Sequence, residues 1–190
     1  IIVTRASDAN RSSATPKDVD RQFVTLFTIV DENLSWYRDE NIDMFLMPNA
    51  AAAAALVNDP DFVASNQKHA MNGYIFANLP GLEMQENERV RWHVVSLGDE
   101  KDLHGIHWHG QTLLYAGHRT DVIELLPASM KTLDMIADNP GTWLYHCHTN
   151  HHMAAGMYAN FIVYDTALMQ MPHMADASAW KYVLIFICVF

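Results

Sequence analysis

The amino-acid sequence predicts an all-β sandwich, and three observations predict it. Short stretches rich in β-branched and aromatic residues recur at close, fairly regular spacing. Gly, Pro and Asn-Gly turn signals separate them, with no helical period between. Half of the 190 residues are apolar and only 18% are charged, which argues against disorder and supplies one sizeable core.

Taken in order, Ile1–Thr4 reads as the tail of a strand from a preceding domain, and residues 5–20, polar with Ser, Asn, Pro and mixed charge, read as a linker. The domain proper spans 21–166. Its first strand is Gln22–Val30, rich in β-branched and aromatic residues. The all-Ala run Ala50–Ala55 is a short helix in an insertion or a low-complexity loop, with no chemistry of its own. Asn72-Gly73 and Pro80-Gly81 mark turns. Glu88–Leu97 puts Val90, Trp92 and Val94 on one face and Arg89, Arg91 and His93 on the other, the alternation of a half-buried strand. Strands follow at Asp102–His109, Gln111–Ala116, Asp121–Leu126, Lys131–Ile136, Thr142–Cys147 and Met157–Tyr164. Asp121 and Glu124 read as strand-surface charges. Residues 167–190 form a C-terminal tail. Its apolar run Tyr182–Phe190 is too short to span a bilayer, which needs about 20 residues. It is a final strand, a tail without a role or a truncated anchor. The first residues carry no basic region or cleavage site, so any signal peptide lies upstream of Ile1.

The formal charge of −10, from 12 Lys+Arg against 22 Asp+Glu, disfavours nucleic acid and anionic membranes as main partners. Two Cys cannot build a disulfide framework. Eleven His and eleven Met beside so few thiols point towards a transition metal.

Seven of the His fall in two windows, residues 102–110 and 146–157, both at strand ends. Strand side chains alternate sides. His107 and His109 therefore point one way and His104 the other; His146 and His148 point one way and Cys147 the other. If the two strands are neighbours, two sites stand back to back. The loop after Cys147 adds His152 and Met157 to the side of His104. Two imidazoles, a thiolate and a weak thioether are the ligand set of a blue-copper electron-transfer site. Zinc accepts His and Cys but gains little from the Met.

These residues resemble the multicopper oxidases, specifically the ceruloplasmin/hephaestin branch and the two-domain laccases. His104-Gly-Ile-His107-Trp-His109-Gly is similar to the family's H-x-x-H-x-H-G, and His146-Cys147-His148 with His152 and Met157 to H-C-H-x3-H-x4-M. Met71-Asn-Gly-Tyr, Leu79-Pro-Gly-Leu and Asn139-Pro-Gly-Thr-Trp extend the likeness over roughly residues 17–164. The resemblance implies a cupredoxin Greek-key sandwich that uses copper. It implies His104, Cys147, His152 and Met157 as ligands of type 1 copper, His107 as ligand of type 2, and His109, His146 and His148 as ligands of the binuclear type 3 pair. It further implies oxidation of a small reducing substrate at type 1 copper, with electrons passing through Cys147 to His146 and His148 and on to dioxygen.

A trinuclear cluster in this family takes eight His, and this chain brings four. The resemblance therefore implies that a preceding cupredoxin domain or a neighbouring subunit, in a homotrimer for a two-domain protein, completes it. It also implies a secreted, periplasmic or cell-surface location. The iron site of the ceruloplasmin type matches His69, but its acids are replaced here by Ala64 and His151, which weakens a ferroxidase reading. Phenol, aromatic amine and Cu(I) oxidation stay open. Met153, Met169, Met171 and Met174 with His173 read as packing and tail residues that could alternatively favour Cu(I). The rival classes are a single-domain blue-copper carrier, a copper nitrite reductase and a non-catalytic cupredoxin domain. The carrier leaves His107, His109, His146 and His148 without a role, the reductase does not need His148, and the intact ligand set argues against the last.

Overall fold

The computed structural model describes residues 2–10, 12–13, 15–46 and 49–169. Two β-sheets enclose the core. The eleven strands are β1 (Arg21–Asp31), β2 (Gln67–Met71), β3 (Glu83–Gln85), β4 (Arg89–Ser96), β5 (His104–Trp108), β6 (Leu113–Tyr115), β7 (His118–Thr120), β8 (Val122–Leu125), β9 (Met130–Ile136), β10 (Gly141–Cys147) and β11 (Tyr158–Tyr164). One sheet runs β2-β1-β4-β9-β6-β7 and the other β3-β11-β10-β5-β8. Neighbours are antiparallel except β1 with β4 and β3 with β11. The all-β sandwich read from the sequence is the observed architecture.

Alternation builds the core. In β4, Val90, Trp92, Val94 and Ser96 are buried while the residues between them reach solvent or ion pairs. Trp92 lies at the centre, with ring centroids 5.0 Å from Tyr145, 5.7 Å from Trp108 and 6.1 Å from Phe161. These rings come from both sheets, so aromatic packing sets the spacing between them. The buried Tyr145 hydroxyl is bonded to Thr25 Oγ1 at 2.7 Å, which satisfies a polar group that would otherwise be orphaned.

Between β1 and β2 the chain forms three helices: α1 (Arg38–Leu46), α2 (Ala50–Leu56) and α3 (Pro60–Ser65). The Ala run is α2, and Asn49 caps it by accepting from the Ala52 N–H at 2.9 Å. Asp59 caps α3, whose first residue is Pro60. A fourth short helix, α4 (Asn150–Ala154), follows β10, and α5 (Thr166–Met169) follows β11. Residues 2–5 belong to neither sheet. The apolar run at 182–190, Cys188, His173, Met171 and Met174 lie outside the described residues. No helix among the described residues is long and apolar enough to cross a membrane.

Candidate metal centre

β5 and β10 are hydrogen-bonded neighbours, with Tyr145 opposite Trp108, His146 opposite His107 and Cys147 opposite Ile106. This pairing meets the condition left open by the alternation argument. The strands end together, and their side chains sort onto two sides.

On the inner side, His104, Cys147 and His152 bring ligand atoms within 4.8 Å of one another. Cys147 Sγ lies 3.7 Å from His104 Nδ1 and 3.6 Å from His152 Nδ1. Those are the separations of donors sharing one first-row metal at about 2.0–2.3 Å per bond. All three side chains are buried, as is Met157. The loop is closed by backbone: α4 carries His152, the Met157 N–H donates to the His152 carbonyl at 3.0 Å, and the Cys147 N–H donates to the Met157 carbonyl at 3.0 Å. Gly156 turns this loop at φ +110°. A Cβ there would come within 3.1 Å of Ile75 and Phe76, so only glycine fits without displacement.

A group not singled out from the sequence holds His104. Asp102 is almost fully buried and faces His104 Nε2 with Oδ1 at 3.3 Å. It also accepts from the Ile29 N–H at 2.8 Å and the Asp99 N–H at 3.1 Å. With Nε2–H donating to the carboxylate, the Nδ1 lone pair turns to Cys147, the tautomer that a metal ligand needs. The i, i+2 spacing of Asp102 and His104 was the available signal, since it puts both on one side of a strand.

On the other side, His107, His109 and His146 form a second group of donors within 4.8 Å of one another. His146 Nε2 is 3.2 Å from His107 Nδ1 and 3.0 Å from His109 Nε2. His146 Nδ1–H donates to the Cys147 carbonyl at 2.9 Å, which frees Nε2 for the cluster. His148 is more exposed and stacks on His107 with centroids 5.2 Å apart, beside rather than within the tight group. Asp121, read as a surface charge, is exposed yet places Oδ2 3.6 Å from His107 Nε2.

Burial favours the neutral imidazole at His104, His107, His109, His146 and His152. It pushes His152 down to about 3 and His146 down to about 4, with neighbouring His adding to both shifts; the Cys147 carbonyl partly offsets the shift at His146. Burial also lowers His69, His104, His107 and His109. Their lone pairs are therefore available at neutral pH.

A third group joins His152 to His69 and His151. His69 is buried in the middle of β2, and its Nδ1 lies 3.3 Å from the Gln67 carbonyl. His151 is exposed on α4. Ala64 lies in α3 and offers no donor.

Comparison with known proteins agrees with the donor chemistry. Residues 50–167 match the family described as multicopper oxidase. The chain is 44% identical over 164 residues to the ferroxidase HEPHL1 of Homo sapiens, covering 86% of this chain and 14% of that protein. It is 43% identical to hephaestin of Homo sapiens over 78% of this chain and 13% of hephaestin. It is 40% identical to ceruloplasmin of Ovis aries over 78% of this chain and 14% of ceruloplasmin. It thus spans about one seventh of those relatives' length. Among solved structures, a laccase from Pediococcus acidilactici superposes with TM-score 0.54 at 16% identity, over 87% of this chain and 31% of that one. A metallo-oxidase from Campylobacter jejuni gives TM-score 0.51 at 17% identity, over 79% and 31%. These two speak for the cupredoxin fold alone. The sequence likeness, carried on this sandwich with its clustered His and Cys donors, places the chain in the multicopper oxidase family, whose cofactor is copper.

Proposed function

We propose that this chain is the type 1 copper-bearing cupredoxin domain of an oxygen-reducing oxidase and carries half of its copper cluster. The observation behind the reading is the pair of donor sets on opposite sides of two adjacent strand ends. His104, Cys147 and His152, with Met157 as a weak fourth donor, would hold type 1 copper. His107 would serve type 2 copper, and His109, His146 and His148 the type 3 pair. Copper held at these positions would supply one-electron redox chemistry between a reducing substrate and dioxygen, with water as the product.

The chain's own residues prepare that chemistry. Asp102 holds His104 in the ligating tautomer. Burial excludes water from the Cys147 thiolate and its partners. Cys147 lies between His146 and His148 in the chain, so two peptide units link the thiolate to imidazoles on the opposite side. Four His make half the family's complement. A preceding cupredoxin domain, ending at residues 1–4 and tethered by 5–20, or a neighbouring subunit would bring the rest. A secreted, periplasmic or cell-surface setting suits this chemistry.

Copper loading tests the reading. The chain should turn blue, with the optical and spin-resonance signature of a Cys-ligated centre, and Cys147→Ser should abolish the colour. Alone it should not reduce dioxygen to water. A colourless copper-loaded chain, or four-electron turnover by the isolated chain, would overturn the assignment. A ferroxidase variant is the second reading, favoured by the activity named for HEPHL1. Comparing how fast Fe(II), Cu(I) and a phenol bleach the blue chain separates it from a laccase-type function.

A further inference from the structure

His109 follows the last residue of β5, and Gly110 comes next. Gly110 sits at φ +68°, a conformation open to glycine, and a glycine is also the residue most free to swing. A donor beside such a hinge needs support from elsewhere. His109 nevertheless stands in register with its neighbour, its Nε2 3.0 Å from His146 Nε2. The backbone supplies one restraint, because the His109 N–H donates to the Leu144 carbonyl at 3.0 Å. The others come from side chains outside the donor set. Carried past the end of β5, the register that sets Tyr145 opposite Trp108 brings Trp143 opposite Gly110. The six-membered ring of Trp143 covers the glycine so closely that no Cβ would fit there. The indole N–H donates to the Asn139 carbonyl at 2.9 Å, and that carbonyl also accepts from Nε2 of the buried Gln111 at 2.9 Å. Asn139 Nδ2 in turn donates to the Gly110 carbonyl at 2.8 Å.

We propose that Trp143 and Asn139 are positioning residues for His109, locking the Gly110 hinge so that His107, His109 and His146 stand ready to take a copper ion before any partner half arrives. The inference rests on the copper reading above for the identity of those donors. Neither residue is a ligand itself: the indole has no lone pair to give, and the Asn139 amide N–H is spent on Gly110. Their effect is on freedom. A donor already held within a few tenths of an ångström of its working position loses little entropy when the metal arrives. Released from the ring above and the bond on its carbonyl, Gly110 lets His109 drift from His146, and the tight group loses one of its three donors. The effect is also one-sided. His104, Cys147 and His152 have none of their hydrogen bonds to Trp143, Asn139 or Gly110, so the Cys147 centre is spared.

The test is a Cu(II) titration of the whole chain, followed by absorption and spin resonance. Wild type should take up one blue equivalent and one colourless equivalent, the second showing nitrogen splitting from imidazole donors. Trp143→Leu and Asn139→Ala should bind the colourless equivalent about 10–100-fold more weakly and keep the wild-type blue band, which also reports an intact fold. Trp143→Phe keeps a ring over Gly110 and should restore most of the affinity. Wild-type affinity for the colourless equivalent in the Leu and Ala variants, or loss of both copper signals together, overturns the proposal, as does a wild-type chain that takes up no colourless copper. A wild-type chain that binds colourless copper but never turns blue overturns the reading of Cys147 instead, so the two failures are distinct.

Discussion

Asp102 shows how one carboxylate can serve the fold and the metal at once. It satisfies two backbone N–H groups and orients His104. Replacing it with Ala should cost about 1–3 kcal/mol, because buried donors lose their acceptor. Denaturant unfolding of the metal-free chain measures that. In Asp102→Asn, shape is kept but the anion is lost. Copper affinity should fall about 10–100-fold. The reduction potential should rise, since the carboxylate favours the more positive oxidised metal. A potential equal to wild type would leave Asp102 a purely structural residue. At this scale the sequence was more informative for donors than for their supports. Cys147 and its flanking His announce themselves by spacing and Asp102 could be read from its i, i+2 relation to His104, whereas the approach of Asp121 to His107 depends on which strands lie side by side. Alternation tells which side a residue faces and nothing about what it meets there.

Elements give the donors their positions. β5 was legible because its apolar residues alternate, and Val90, Trp92 and Val94 announced β4 in the same way, whereas β10 was legible as a run of β-branched and aromatic residues after the Pro140-Gly141 turn. The three-residue strands β3 and β7 were not, since so short a run acquires strand character only by pairing. β2, QKHAM, is held by its register with β1, where His69 lies opposite Ile29. The helices α1 and α3 carry no apolar stripe; α1 buries only Ile42 and α3 buries no residue. The loop from α4 to β11 depends on Gly156. Gly156→Ala should cost about 1–3 kcal/mol from its strained φ and close approach. It should also weaken the blue band, because Met157 and the carbonyl that fixes Cys147 move with it. A calorimetric scan and an absorption spectrum check both effects, and an unaltered spectrum would show that the loop relaxes elsewhere.

For the whole molecule, the main physical consequence of this chemistry is acid sensitivity. His146 and His152 titrate in the native chain at about 4 and about 3, against about 6.5 when unfolded. Between those values the unfolded chain binds more protons. Stability of the metal-free chain is thus full above about pH 6.5 and falls as pH drops towards 4. Melting curves across that range should show a steady decline, and one shallower in His146→Gln. Copper should be released over the same range as protons compete for nitrogen. The partition between the two principal donor sets is a single strand, which makes the molecule unequally tolerant of change. A substitution harms one set and leaves the other standing. Deleting one residue from the body of β10 keeps His146-Cys147-His148 intact as text but shifts it one place, turning the thiol outward and both imidazoles into the sandwich. Length, more than identity, is the property this strand cannot vary.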